Sequence, residues 1–310
     1  MDSRIYFEGK IFLKGKKIKD FISDREFMKI TRAHNSPEYY PILEDKYVFD
    51  QILRGNGFNS PRNRFILSRG VILEYGTGRE ILPGDFLKEE LDGFCKLLNG
   101  YGGFSIYKVS VTGGKLRVND LDADITDFIR KLGKREFLIQ EKVHQHPLMN
   151  ELNPSCLNTL RLITVQRGKE IIYFKGYLRV GINNNFVDNG LSGNIFVGFN
   201  QESGTLFGPA QIDGMEVISQ SFERHPQTLK SFTGFQIPYF KEACDMVKEL
   251  HRLFRQFFIV GWDIGITENG PVVIEGNNIT GLCIIQFLYG GARSSFLDHL
   301  SKYREGHLTG

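Results

Sequence analysis

Two carboxylates and one amide in the last sixth of the chain have the chemistry to bind a divalent cation. Asp263 is followed by eleven residues, then Glu275, one further residue and Asn277. Carboxylate and amide oxygens are hard ligands of the kind that Mg²⁺ prefers. The residue types alone leave two alternatives, which are a pair of carboxyl groups for acid catalysis, as in glycosidases, and a hairpin whose polar face is simply solvated.

A β-hairpin is the element that must position these residues. Two apolar runs, 259–267 and 271–276, flank the sequence Glu268-Asn269-Gly270. Three loop residues ending in glycine favour a hairpin whose last loop residue is left-handed. In that hairpin Thr267 would pair with Pro271.

Counting back from the predicted turn places the polar residues on one face of the hairpin. Asp263 would lie opposite Glu275, and Gly261 opposite Asn277, because side chains alternate between faces with a period of two. Two carboxylates directly opposite each other repel, and a bound cation would relieve that repulsion. Gly261 and Gly265 would leave room above this face for a bulky ligand such as a triphosphate.

The rest of the chain mixes short strands with helices, which predicts an α+β fold. Asp45 lies where an N-cap residue would begin a helix over 46–53. The segment Arg167-Gly168-Lys169 predicts the turn of a long hairpin. The further predicted elements are small antiparallel strands within 65–118, a strand over 136–143, the hairpin strands 160–165 and 171–182, and an amphipathic helix within 237–257.

Composition excludes several classes of protein. The 310 residues carry a formal net charge of +3 and only a short N-terminal basic run, so we expect no nucleic-acid partner. The four cysteines form no CxxC pair, which argues against structural zinc. No apolar stretch is long enough to span a bilayer, and the N-terminus does not resemble a signal peptide. We therefore expect a soluble, cytoplasmic protein.

Several segments, in the right order, resemble the ATP-grasp superfamily, which shares the spacing of Asp263, Glu275 and Asn277. The general resemblance also lies in Asp45-Lys46-Tyr47, 57–61, Phe94-Cys95-Lys96, 99–105 and 138–143. More narrowly, the chain resembles the sugar-transfer-associated ATP-grasp family over roughly residues 40–290. That resemblance lies in Gln145-His146-Pro147, 152–155, 158–161, His225-Pro226, 261–264 and 274–277.

The resemblance implies an ATP-grasp fold, in which two α+β subdomains grip ATP. The implied organisation is a short N-terminal extension over 1–44 in place of a full preceding domain, a small lid subdomain with a Gly-rich loop over 45–140, and a large subdomain with the metal site over 141–310.

It also implies residue roles. Asp263, Glu275 and Asn277 would hold one or two Mg²⁺ ions. Many family members have an arginine two residues before the metal-binding Asp, where this chain has Gly261, so Arg161 and Arg179 are the candidate catalytic cations. The implied ATP-binding residues are Lys46, Lys96, Gly100, Gly102, Gly103, Gln140, Glu141 and Val143. The candidate substrate-binding residues are Asn158, which would also support Arg161, and Asp188, Asn189, His225 and Asn278.

The implied function is that of an ATP-dependent ligase. It would activate a carboxylate as an acyl phosphate and couple it to an amine, in the biosynthesis of surface polysaccharide or glycoconjugate. Its partners would be a small or glycan-linked carboxylate and an amine acceptor. A kinase that phosphorylates a hydroxyl, and a nucleotide-binding protein without turnover, are the alternatives. The retained metal-binding pattern argues against the second of these.

Overall fold

The computed structural model describes residues 17–100, 105–182, 195–212 and 221–308. These residues divide into two compact units. One unit consists of residues 44–144, and the other contains the described residues before 44 and after 144. Each unit builds its own antiparallel sheet and adds helices to it, so the predicted α+β fold is confirmed.

Nine α-helices occur in the described residues, together with short 3-10 turns. They are α1 Asp24–His34, α2 Pro41–Glu44, α3 Lys46–Gly55, α4 Pro83–Phe86, α5 Ile125–Leu132, α6 Pro147–Leu152, α7 Phe240–Leu253, α8 Cys283–Tyr289 and α9 Arg293–Leu308. Helix α3 begins where the sequence predicts, because one side-chain oxygen of Asp45 accepts the N–H groups of Tyr47 and Val48. Helix α7 confirms the predicted amphipathic helix with tighter bounds.

The unit of residues 44–144 contains an eight-stranded sheet in the order β3-β2-β1-β8-β4-β5-β6-β7. One face of this sheet packs against Phe128 and Leu132 of α5, and Phe137 and Ile139 lie in the same core. The strands are β1 Asn63–Ser68, β2 Val71–Glu74, β3 Glu80–Ile81, β4 Leu91–Leu97, β5 Ile106–Thr112, β6 Lys115–Val118, β7 Leu121–Ala123 and β8 Phe137–Glu141.

The other unit contains a seven-stranded antiparallel sheet in the order β13-β12-β11-β10-β9-β14-β15. The predicted hairpin of β9 and β10 is confirmed, with Gly168 at a φ of +61° in its turn. The strands are β9 Thr159–Arg167, β10 Glu170–Val180, β11 Ile195–Phe199, β12 Leu206–Ile212, β13 Ser221–Phe222, β14 Ile259–Thr267 and β15 Gly270–Asn277.

Helices cover both faces of this second sheet. On one face, Ile163 of β9 and Tyr177 of β10 share a core with Phe27 of α1, Ile285 of α8 and Phe296 of α9. Helix α7 packs on the opposite face against β9, β10 and β14. In the described parts of the chain, no helix is both long and apolar enough to cross a membrane.

Candidate functional site

The hairpin of β14 and β15 brings the predicted cation ligands to one place. Asp263 pairs directly with Glu275, and Gly261 pairs with Asn277, as the sequence predicts. Paired residues of an antiparallel ladder project to the same face. Asp263, Glu275 and Asn277 therefore lie beside one another on one face of the hairpin.

Nearer the turn, the predicted register is wrong by one residue. Ile264 pairs with Val273, and Thr267 pairs with Gly270 instead of Pro271. The ladder is irregular directly after Asp263, where a β-bulge accommodates the extra residue. The loop therefore contains two residues rather than three. Gly270 has the predicted positive φ, +105°, but it is the first residue of β15.

The neighbouring strands bring two arginines to Asp263. Arg161 of β9 pairs across the ladder with Asp263, and Arg179 lies on β10. Arg161 Nε donates to Asp263 Oδ1 at 2.6 Å, and its Nη2 donates to Oδ2 at 3.2 Å. Arg179 Nη2 also contacts Oδ1. The side chains of Asp263, Arg161 and Arg179 are only 7%, 14% and 12% exposed, so this ion triad is largely shielded from water.

The arginines control the ionisation of Asp263. Burial alone would raise the pKa of this carboxyl group, but Arg161 and Arg179 outweigh burial and hold the pKa below its ordinary value. The carboxylate is therefore charged at neutral pH. Together with Glu275 opposite, two cations and two carboxylates meet on this face.

The same face can accommodate a hard cation. Asn277 Nδ2 lies 3.5 Å from Asp263 Oδ2, and turning this amide over would bring its carbonyl oxygen into a donor set with Asp263 and Glu275. Within the described ranges no three His, Cys, Asp or Glu side chains gather as metal ligands, and this face offers two carboxylates and the Asn277 amide. In the present arrangement the oxygens of Asp263 accept from Arg161 and Arg179, so a bound cation would share this carboxylate with them.

The predicted open space above the glycines is absent. A Cβ atom at Gly261 would lie 2.7 Å from the Cβ of Thr280, and one at Gly265 would lie 3.1 Å from Leu157. Residues after β15 fold back, and Thr280 fills the space instead of a ligand. Thr280 Oγ1 also lies 3.5 Å from Arg161 Nη1. The glycines are therefore needed for close packing of the chain itself.

In the unit of residues 44–144, a chain of amides holds Lys96. Lys96 Nζ donates to Gln140 Oε1 at 2.8 Å, and Gln140 Nε2 donates to Asn63 Oδ1 at 2.9 Å. Gln140 and Asn63 are both buried. Because an amide has one accepting end, the contact with Asn63 turns the oxygen of Gln140 towards the lysine.

The other lysine predicted to bind ATP contacts the start of the Gly-rich loop. Lys46 Nζ donates to the carbonyl of Gly100 at 2.9 Å. Gly102 and Gly103 lie outside the described residues, as do Asp188 and Asn189. The contact therefore fixes the position of Lys46 relative to the first glycine of that loop.

The segment predicted to contact adenine uses some of its polar groups internally. The N–H of Glu141 donates to Arg62, and its carboxylate accepts from Arg64 at 2.6 Å. Among the described contacts, the N–H of Val143 has no hydrogen-bond partner. Val143 is therefore the backbone donor of this segment that remains available to a ligand.

Two of the candidate substrate residues have structural contacts. Asn158 is buried, and its side-chain nitrogen lies within hydrogen-bond distance of Gln145, Met149 and Asn153, which lie in or directly beside α6. The expected support of Arg161 by Asn158 is absent from the described contacts, because the side chain serves this region.

His225 is also buried. Its Nε2 contacts the carbonyl of Gly181 at 2.8 Å, and its Nδ1 accepts from the N–H groups of Gln227 and Thr228. Burial lowers the pKa of His225. Both ring nitrogens are thus engaged by the backbone, which favours a loop-holding role over the expected substrate contact.

Residues that sequence inspection missed complete the surroundings of the ion triad. Thr280, in the segment after β15, lies against Gly261 and near Arg161. Asn35, at the end of α1, binds the carbonyl of Asn278. A lone asparagine after a helix reads as a helix stop, so nothing in the sequence marked this long-range contact.

Two antiparallel sheets with helices define an α+β protein, and one face of its β14–β15 hairpin carries acidic side chains beside two arginines. The chain belongs to the sugar-transfer-associated ATP-grasp family, whose model matches residues 26–302. No curated protein matches the chain by sequence.

Solved structures with similarity to the chain include three ligases and synthetases. A D-alanine–D-alanine ligase from Bacillus anthracis is 12% identical, with 86% of this chain and 68% of that chain covered and a TM-score of 0.47. The ATP-grasp ligase PsnB, complexed with minimal precursor, Mg and ADP, is 15% identical, with 91% and 67% covered and a TM-score of 0.44. An N5-carboxyaminoimidazole ribonucleotide synthetase from Thermotoga maritima is 13% identical, with 84% and 49% covered and a TM-score of 0.42.

Proposed function

We propose that this chain is an ATP-dependent ligase that activates a carboxylate as an acyl phosphate and couples it to an amine. The observation that supports this proposal most strongly is the buried triad of Arg161, Asp263 and Arg179, with Glu275 on the same face. Such a cluster can stabilise both a cation and the negative charge of a phosphoryl group in a site of low dielectric.

In the unit of residues 44–144, we assign nucleotide contacts to two lysines and to the backbone. Lys96 and Lys46 would donate to phosphate oxygens, for which an ammonium group is a compact point charge. Gly100, with Gly102 and Gly103, would bring backbone N–H groups close to the phosphates. The segment of Gln140, Glu141 and Val143 would contact adenine, and the available N–H of Val143 suits a ring nitrogen.

In the other unit, Asp263, Glu275 and Asn277 would hold one or two Mg²⁺ ions. When bound, the metal would neutralise phosphate charge and orient the γ-phosphoryl group. The donor set fits this ion, since it offers two carboxylates and one amide carbonyl on a single face.

The arginines would then act on the transferring group. An oxygen of the substrate carboxylate attacks the γ-phosphorus, the bond to the β,γ-bridging oxygen breaks, and ADP leaves with that electron pair. Arg161 and Arg179 would donate N–H groups to the phosphoryl oxygens, where guanidinium groups can bind two oxygens at once. The amine then attacks the acyl carbon, phosphate leaves, and the amine nitrogen loses a proton.

We assign the substrates to the chemistry of glycan assembly. The acid would be a small or glycan-linked carboxylate, and the acceptor an amine, in the synthesis of surface polysaccharide or glycoconjugate in the cytoplasm. The support for this assignment is the description of the family, sugar-transfer-associated, to which the chain belongs.

Product analysis tests the proposal. The protein is incubated with Mg²⁺, ATP and a panel of uronic and amino acids, each with and without candidate amines, and ADP, phosphate and coupled product are measured. We expect ADP and phosphate in equal amounts, together with an amide, for the correct pair. Formation of a stable phosphoester without release of phosphate would show that the protein is a kinase and not a ligase. Nucleotide binding without turnover throughout the panel would contradict an enzymatic role for the substrates tested.

A further inference from the structure

Two buried amide side chains connect residues 17–35 to the rest of the unit that contains the seven-stranded sheet. Gln286 of α8 accepts the N–H of Ile22 at 2.8 Å and donates to the carbonyl of the same residue at 3.0 Å. Asn35, which follows α1, is fully buried. Residues 17–35 are therefore an integral part of this unit.

Asn35 differs from Gln286 because it joins the start of β14 to the residue after β15, which lie side by side at the open end of the charged hairpin. Its Oδ1 accepts the N–H groups of Phe258 at 2.8 Å and Ile259 at 3.2 Å, where β14 begins. Its Nδ2 donates to the carbonyl of Ile259 at 2.8 Å and to that of Asn278 at 2.5 Å. Two accepted and two donated hydrogen bonds use the full capacity of one amide.

The contact with Asn278 lies directly after the proposed cation ligands. Asn278 follows Asn277, the last residue of β15, and begins the segment that carries Thr280. Thr280 is buried, packs against Gly261 and lies 3.5 Å from the guanidinium of Arg161. The position of this segment therefore decides how closely Thr280 approaches the ion triad.

We infer that Asn35 is a positioning residue that holds segment 278–281 against Gly261 and Arg161. The inference rests on the proposed function only in its consequence for turnover, and its structural part stands by itself. The buried Nδ2 bond fixes the carbonyl of Asn278, and the chain from Asn278 to Thr280 is too short to move independently of that anchor.

Matched amide-to-acid substitutions test the inference. Asn35→Asp keeps an acceptor for the N–H groups of Phe258 and Ile259 but places an oxygen against the carbonyls of Ile259 and Asn278. Gln286→Glu is the matched control, because it replaces an amide by an acid in the same way but removes the hydrogen bond to the carbonyl of Ile22. Hydrogen–deuterium exchange of a peptide covering 277–283 is measured in both variants, together with the kcat and KM for Mg·ATP turnover.

We expect Asn35→Asp to speed exchange in 277–283 about tenfold, the change that corresponds to losing the buried hydrogen bond to the carbonyl of Asn278. The kcat should fall several-fold, whereas Gln286→Glu should leave both readouts near those of the unaltered protein. Unchanged exchange in folded Asn35→Asp, or equal exchange in Gln286→Glu, would overturn the inference.

A second variant covers the case in which Asn35→Asp does not fold. Asn35→Ser retains a short acceptor but cannot reach Asn278, and the same faster exchange is expected. If Asn35→Ser also fails to fold, Asn35 serves global folding and the positioning inference is wrong. If the unaltered protein shows no ATP turnover, the proposed function fails, while the exchange result still decides the role of Asn35.

Discussion

Two consecutive residues of β14 point to opposite faces of the sheet and belong to networks of different character. Trp262 Nε1 donates to Thr164 Oγ1 at 2.7 Å, and this hydroxyl lies 2.7 Å from His251 Nδ1. His251 Nε2 lies 3.0 Å from the carbonyl of Phe257, so this nitrogen carries the proton and Nδ1 accepts from Thr164. Each donor in this buried, neutral chain meets an acceptor.

Asp263, the next residue, faces a network that is charged. Its carboxylate accepts from Arg161 and contacts Arg179. With Glu275 opposite, two guanidinium groups and two carboxylates lie on this face. The comparison shows why one face suits structure and the other suits chemistry, because the neutral chain is complete in itself whereas the other face carries charged groups of the kinds that bind phosphate and metal ions.

The largest effect on activity is expected from substitutions in the charged network of Asp263 and Glu275. Asp263→Asn and Glu275→Gln should each lower Mg·ATP turnover at least about 100-fold, since each removes an anionic ligand that a metal needs. Asp263→Asn should also lower the free energy of unfolding by about 3 kcal/mol, because two buried guanidinium groups lose their counter-charge. Turnover assays and urea denaturation measure the two effects. Near-normal turnover of both variants in magnesium would contradict the metal assignment.

Lowering the pH tests the neutral network of Trp262, Thr164 and His251. Burial lowers the pKa of His251 to about 4, although the bond to Phe257 partly opposes this shift. In the unfolded chain a histidine binds a proton near pH 6.5, whereas in the folded protein His251 does so only near pH 4. The free energy of unfolding therefore falls by up to about 3 kcal/mol as the pH falls from 7 to 4. Denaturation midpoints at several pH values should show this slope, and His251→Gln should reduce it. An identical slope in the variant would assign the acid sensitivity to other groups.

Lys96 offers an intermediate case, since it is a cation held by a neutral amide. Lys96→Met should weaken the binding of a non-hydrolysable ATP analogue about tenfold, because a charge-assisted phosphate contact is lost. Lys108→Met is the matched control on the adjacent strand β5, where Lys108 is paired with Asp120. Calorimetry measures both affinities. Equal affinities in the two variants would mean that Lys96 does not contact the nucleotide and has a purely structural role.

Counting residues back from the turn gave the correct pairs on the polar face because two errors cancel. The assumed three-residue loop shifts the pairing by one residue, and the bulge directly after Asp263 shifts it by the same amount, so Asp263 still pairs with Glu275. The bulge itself could not be predicted, because the loop letters Glu268-Asn269-Gly270 suit either loop length. The start of α3 could also be predicted, because it depends only on neighbouring residues: the side chain of Asp45 caps the helix.

Contacts between distant segments were beyond prediction. The sequence placed Arg161 and Arg179 among apolar neighbours, but their meeting at Asp263 depends on the order β10-β9-β14 in the sheet. Likewise, the glycine at 261 suggested room for a ligand, whereas Thr280 occupies that room. Only the three-dimensional path of the chain determines which group fills a gap beside a glycine.

Trapping with hydroxylamine tests carboxylate activation most directly. An acyl phosphate reacts with this small nucleophile, so the correct acid, with ATP and Mg²⁺ but without its amine, should yield a hydroxamate. Arg161→Lys and Arg179→Lys should each cut the yield sharply, because lysine cannot make the two-pronged contact of a guanidinium group. A yield that depends on ATP, Mg²⁺ and both arginines is the predicted result. ATP cleavage with the correct acid, a stable phosphoester and no hydroxamate would contradict it.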